Sequence, residues 1–145
     1  MLDQVATIVE EAGRIAAGRC GTDYRTWEKV PGHPVCDIDL EVDIFLREHL
    51  SILDPEAGGL SEETIDVSDR IERRRLWVVD PIDGTRDFLR NRPGWCVSVA
   101  LVEDRVPVIG VLAAHAARGR FDELRPVDAE WIDRPTAFAR RKAQQ

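Results

Sequence analysis

The residues best suited to chemistry stand together in Asp80-Pro81-Ile82-Asp83-Gly84-Thr85, directly after the apolar run Trp77-Val78-Val79. An apolar strand ending in Asp80 sets a carboxylate at a sheet's C-terminal edge, where open α/β sheets generally bind ligands. Pro81 fixes the backbone direction, and Asp83 can curl back toward the same point. Two carboxylates that converge repel each other unless a cation lies between them. All-oxygen ligation by carboxylates and a main-chain carbonyl, here that of Ile82, suits magnesium, a hard ion that keeps several waters and is completed by a substrate phosphate. Gly84 and Thr85 then open the stretch from Arg86 to Leu89. Glycine lets backbone amides approach an anion closely, and if that stretch is a helical turn its N-terminus offers a phosphate site. The same residue types also make an ordinary polar turn after a strand.

Two upstream features bear on the choice. Glu62-Glu63 stands at the start of a loop, where one of the pair could supply a further metal ligand, or the pair could be a solvated surface. Asp39, in Pro34-Val35-Cys36-Asp37-Ile38-Asp39, sits where a helix N-cap is expected.

The elements that must position these groups follow from periodicity. Leu2, Val5, Ile8, Val9, Ala12, Ile15 and Ala16 recur at three- and four-residue spacing, which predicts a helix with one buried stripe, stopped at Gly21. A second helix is expected from about Asp39 to Leu53, with Val42, Phe45, Leu46, Leu50 and Leu53 on one side and Glu41, Arg47 and Glu48 on the other. Asp54 to Gly59 reads as a turn. Leu76 to Val79 reads as a strand buried on both faces and ending at Asp80. Trp95, Val97, Val99 and Leu101 alternate with Cys96, Ser98 and Ala100, a half-buried strand. Glu103-Asp104-Arg105 turns the chain into a second strand, Val106 to Leu112, so the pair is expected to form a hairpin. After about residue 116 neither period persists.

At 145 residues the chain is expected to be one domain. With 32% charged residues and no apolar run near the roughly 20 needed to cross a bilayer, no membrane segment is expected. The start, MLDQVATIVEE, is acidic and lacks the basic region of a secretory signal, which points to a cytoplasmic protein. Cys20, Cys36 and Cys96 are odd in number and widely spaced, against a disulfide framework or structural zinc. The net charge of -7 argues against a nucleic-acid polymer as partner.

Taken in order, Lys29, Pro34-Val35 followed by Asp39, Ser61-Glu62-Glu63, Trp77 to Thr85, and the strand pair ending Val108-Ile109-Gly110-Val111 resemble the inositol monophosphatase family over about residues 1–115. The resemblance implies an α+β fold, the N-terminal half of a layered αβαβα sandwich of the sugar-phosphatase type. It implies a magnesium-dependent phosphomonoesterase acting on a small phosphorylated polyol or nucleotide, such as an inositol monophosphate or 3'-phosphoadenosine 5'-phosphate, with lithium sensitivity and a homodimer. Carried over residue by residue, Glu62, Asp80 and the Ile82 carbonyl resemble the ligands of a first metal. Asp80 and Asp83 resemble those of a second. Thr85 with Asp39 is similar to the family's water-activating pair, and the amides of Gly84 and Thr85 to its phosphate cradle.

Cys36 stands where the family usually has Thr, and Asp37 where it usually has Glu. Family members are about twice as long, and their second half supplies a Trp-Asp motif that completes the second metal site. Trp131-Ile132-Asp133 lies too early to be that motif. The loss of pattern in 116–145 is therefore read as a divergent tail, from truncation or a frame shift, behind a metal-binding region at 1–115. Two other readings stand beside the phosphatase. One is a non-catalytic remnant that binds metal weakly or serves only in assembly. The other is a haloacid-dehalogenase-type phosphatase, disfavoured because its two aspartates are separated by one residue and these by two.

Overall fold

A computed structural model of the chain describes residues 1–61, 73–115 and 124–126. The elements run α1 (Leu2–Arg19), β1 (Thr26–Val30), β2 (His33–Cys36), α2 (Asp37–Leu53), β3 (Gly58–Ser61), β4 (Arg75–Asp83), α3 (Thr85–Leu89), β5 (Cys96–Glu103), β6 (Val106–His115) and β7 (Leu124–Pro126). Five strands form one sheet in the order β3-β4-β5-β6-β7. β3 is parallel to β4 and the other neighbours are antiparallel. β1 and β2 form a separate antiparallel hairpin. Helices and sheet are thus mixed, as an α+β fold requires. Among the described residues no helix is long and apolar enough to cross a membrane.

The core lies between the two long helices and one face of the sheet. α1 buries Val5, Val9, Ala12 and Ala16, and α2 buries Ile38, Val42, Leu46 and Leu50, each set recurring every three or four residues. Against them stand Trp77 and Val79 of β4, Val97, Val99 and Leu101 of β5, and Val111 and Ala113 of β6. The alternation expected from Trp95 to Leu101 is present: Trp95, Val97, Val99 and Leu101 are buried and Cys96, Ser98 and Ala100 only partly so. The hairpin between β5 and β6 turns at Asp104 and Arg105, both at positive φ (49° and 69°), the backbone that a tight two-residue turn demands.

α1 ends at Arg19 with Cys20 as its C-cap, and Gly21 follows at φ 76° as the expected stop. Other boundaries differ from expectation. α2 starts at Asp37, so Cys36 is the N-cap and Asp39 the third helical residue. The expected turn from Asp54 to Gly59 gives way at Gly58 to β3, whose pairing with β4 outweighs the poor strand preference of two glycines. β4 is not buried on both faces. Trp77 and Val79 face the helices, while Leu76 and Val78 lie on the other side and are partly exposed. Nor does it stop at Asp80: it runs to Asp83 because a bulge accommodates Pro81, whose missing N–H would break a regular ladder. β6 continues three residues past Leu112, to His115. Glu62 and Glu63 lie outside the described residues, as does most of 116–145.

Candidate phosphoryl-transfer site

The bulge in β4 brings the two aspartates to one side. In a regular strand, residues three apart point to opposite faces. Here Asp80 is paired with Ser98 and Asp83 with Cys96, so three steps along β4 match two along β5. Ser98 and Cys96 share a face, and the extra residue therefore returns Asp83 to the face of Asp80. Cys96 senses both charges. Its thiol is pushed up to about 11, by burial first, then by Asp83 and Asp80. At neutral pH it stays protonated beside the carboxylates.

Gly84 turns the chain out of β4 into α3. Its φ of +92° lies in the left-handed region, and a Cβ built there would lie 2.7 Å from the Gly94 carbonyl oxygen and 3.1 Å from Trp95 Cα. Only glycine suits a position that is both left-handed and pressed against a neighbouring backbone. α3 is anchored below by Phe88, wholly buried, whose ring meets Trp95 edge-to-face at 5.1 Å and Tyr24 at 6.0 Å. Above, Arg86 Nη2 donates to the Gly32 carbonyl at 2.6 Å, tying the turn of the β1–β2 hairpin to α3. Cys20 Sγ, 3.3 Å from Asn91 Oδ1, joins the end of α1 to the loop after α3.

Thr85 stands between two acceptors. Its Oγ1 donates to the Ile82 carbonyl at 3.0 Å, with Asp39 Oδ1 at 3.5 Å. The hydroxyl has one proton, and the shorter contact takes it. Asp39 is 1% exposed. Its Oδ2 accepts from the Cys36 amide at 2.8 Å and lies 3.0 Å from Cys36 Sγ.

Asp39, Ile82 and Thr85 are therefore in one place, Asp80 and Asp83 share one face of the adjoining bulge, and Gly84 links the two. Glu62 follows Ser61, the last residue of β3 beside β4, but itself lies outside the described residues. Two carboxylates and a main-chain carbonyl are hard oxygen donors, which fits a magnesium-type ion. Among the described residues no three His, Cys, Asp or Glu side chains form a metal cluster, so this donor set needs another carboxylate or water. Sequence reasoning passed over the Cys36 cap, whose signal was an N-cap cysteine three residues before Asp39. Asp87 is half-buried, with Oδ2 2.9 Å from where a Cβ on Gly94 would stand.

The family model of the inositol monophosphatase family matches residues 1–125. A 3'(2'),5'-bisphosphate nucleotidase CysQ of Aggregatibacter actinomycetemcomitans is 35% identical over 116 residues, 79% of this chain and 43% of that protein. A histidinol-phosphatase of Mycobacterium tuberculosis is 36% identical over 115 residues, 79% of this chain and 44% of that protein. Among solved structures, the Thermotoga maritima IMPase superposes with a TM-score of 0.69 at 29% identity, over 78% of this chain and 43% of that one. The chain thus spans a little under half the length of the relatives it matches, and its helix layer and sheet correspond to the N-terminal half of their layered fold. With the family model matching most of its length, the chain belongs to the inositol monophosphatase family.

Proposed function

We propose that the chain carries the metal- and phosphate-binding part of a magnesium-dependent phosphomonoesterase acting on a small phosphorylated polyol or nucleotide. The observation that carries this reading is the register shift between Asp80 and Asp83, which turns both aspartates to one face of β4 on either side of Ile82, whose carbonyl accepts from the Thr85 hydroxyl. Asp80, Asp83 and the Ile82 carbonyl, with Glu62, would hold magnesium. The chemistry the ion supplies when bound is charge stabilisation at the attacking and leaving oxygens and a lowered pKa for the attacking water.

The chain's own residues then have separate tasks. The amides of Gly84 and Thr85 would hold the phosphate. For the reaction, the Thr85 hydroxyl turns its proton from Ile82 toward Asp39 Oδ1, a contact now 3.5 Å long, and so becomes able to accept a proton from water. The water oxygen forms the new bond to phosphorus as the ester P–O bond breaks. The leaving alkoxide takes a proton from solvent, and the water's proton is relayed through Thr85 to Asp39. A buried carboxylate fixed on one oxygen can act in this way because its other oxygen needs no reorientation.

The same proposal includes lithium sensitivity, a homodimer and a cytoplasmic location. One alternative is a chain that binds the ion and turns over no ester, since among the described residues no three His, Cys, Asp or Glu side chains form a metal cluster. Phosphate release from 3'-phosphoadenosine 5'-phosphate, inositol monophosphate and histidinol phosphate, each with and without magnesium, separates the two. Magnesium-dependent release from at least one ester supports the phosphatase. Magnesium binding with no release from any of them supports the alternative.

A further inference from the structure

We propose that Cys36 is a positioning residue for the reaction: its thiol, with its own amide, holds one oxygen of Asp39 so that the other faces Thr85. This rests on the reading of Asp39 and Thr85 as the water-activating pair.

Cys36 is the last residue of β2 and the N-cap of α2, in extended backbone (φ −132°, ψ 168°) and fully buried. Its side chain and Asp39 form a reciprocal capping box: the Asp39 amide is directed to the sulfur, and Asp39 Oδ2 accepts from the Cys36 amide at 2.8 Å. The S–H lies 3.0 Å from the same Oδ2. Both contacts fall on one oxygen, which fixes the rotation of the carboxylate and leaves Oδ1 on the side of Thr85 Oγ1. A cap at the end of a strand thus also orients a site group.

The choice of sulfur has a chemical consequence. A thiol is a weaker donor than a hydroxyl, so it stabilises the charged carboxylate less and leaves Asp39 more basic than a Ser or Thr cap would. The donor itself stays protonated: burial, then the Asp39 hydrogen bond and charge, push the Cys36 thiol up to about 12. Among the titratable neighbours, Tyr24 has its phenol raised first by burial, with Cys36, Cys20 and Asp39 adding to the rise. Arg25 faces Asp37, which it pairs at 3.4 Å.

The experiment is a carbon-13 NMR titration of the Asp39 side-chain carboxyl in the full 145-residue chain, as wild type, Cys36→Ala and Cys36→Ser, with circular dichroism to show that each variant is folded. Losing the S–H donor should raise the Asp39 midpoint by roughly half to one pH unit in Cys36→Ala. The stronger O–H should lower it by a similar amount in Cys36→Ser. Opposite shifts support the proposal, and they need no turnover to be read. A cap acting only through packing would change stability and leave the Asp39 midpoint in place in both variants, which overturns it. In the magnesium-loaded protein the acid limb of the turnover profile should move in the same directions. If that limb is unmoved while Thr85→Ala still lowers turnover about 100-fold or more, Cys36 does not serve the reaction and the proposal fails alone. If Thr85→Ala leaves turnover unchanged, the function reading fails and takes this inference with it.

Discussion

Replacing Gly84 by Ala should break the turn on which the site depends. Two costs add. An L-residue held in left-handed backbone loses about 1–2 kcal/mol, and Gly84 sits at φ +92°. The new methyl would also lie 2.7 Å from the Gly94 carbonyl oxygen and 3.1 Å from Trp95 Cα, both main-chain atoms that cannot swing aside. Forcing extra volume into such a contact costs about 1–3 kcal/mol. The sum, about 2–5 kcal/mol, is a large share of the roughly 5–15 kcal/mol that holds a domain folded. Urea unfolding followed by tryptophan fluorescence reads it, since Trp77 and Trp95 are buried. With a slope of about 2 kcal/mol per molar urea, the middle of the usual range, the midpoint should fall by about 1–2.5 M. Gly18→Ala supplies the opposite sign in the same assay. It is an exposed helical position with nothing within 4 Å of the added carbon, and the change should stabilise by about 0.5–1 kcal/mol. A Gly84→Ala midpoint at or above that of the wild type would refute the close approach on which this reasoning rests.

Thr85→Ala should lower magnesium-dependent turnover by about 100- to 10,000-fold with little change in magnesium affinity by calorimetry, because the hydroxyl is assigned to the water and is not itself a ligand of the ion. Equal turnover would remove it from the mechanism. Alkaline pH should weaken the fold through Cys36, whose thiol rises from the ordinary 9.0 to about 12. A group raised in the folded state stabilises fully below the unfolded value and loses that contribution as pH climbs through the folded one. Urea midpoints should therefore fall from about pH 9 upward, less steeply in Cys36→Ser, which cannot ionise there. Identical slopes would contradict the assignment.

Much of this arrangement was legible in the sequence where burial leaves a period. The alternation from Trp95 to Leu101 and the stripe from Val5 to Ala16 each announce the face that meets the core, and both appear there. The hexapeptide from Asp80 to Thr85 marked the site because each of its residues has a distinct job. The β1–β2 hairpin left no such trace. Thr26 to Val30 are all exposed, so no side is selected for apolar residues, and only Pro31-Gly32 marked its turn. β3 was hidden by Gly58 and Gly59, since its stability comes from parallel pairing with a distant segment. The bulge at Pro81 was equally invisible. Periodicity assumes two residues per repeat, and one inserted residue reverses the face of everything after it. Asp39 was expected to cap its helix because caps and third positions are both acidic by preference. The cysteine that actually caps it carries no common signal.

The central claim is that Asp80, Asp83 and the Ile82 carbonyl form one oxygen-donor site for a divalent cation. Manganese, a paramagnetic stand-in for magnesium, tests it directly when titrated at substoichiometric amounts into nitrogen-15-labelled protein while amide line widths are followed. The amides from Asp80 to Thr85, and Cys96 across the sheet, should broaden first, magnesium should reverse the effect, and Asp83→Asn should remove most of it. Broadening centred elsewhere, such as on the exposed acids of α2, or left intact by Asp83→Asn, would contradict the account.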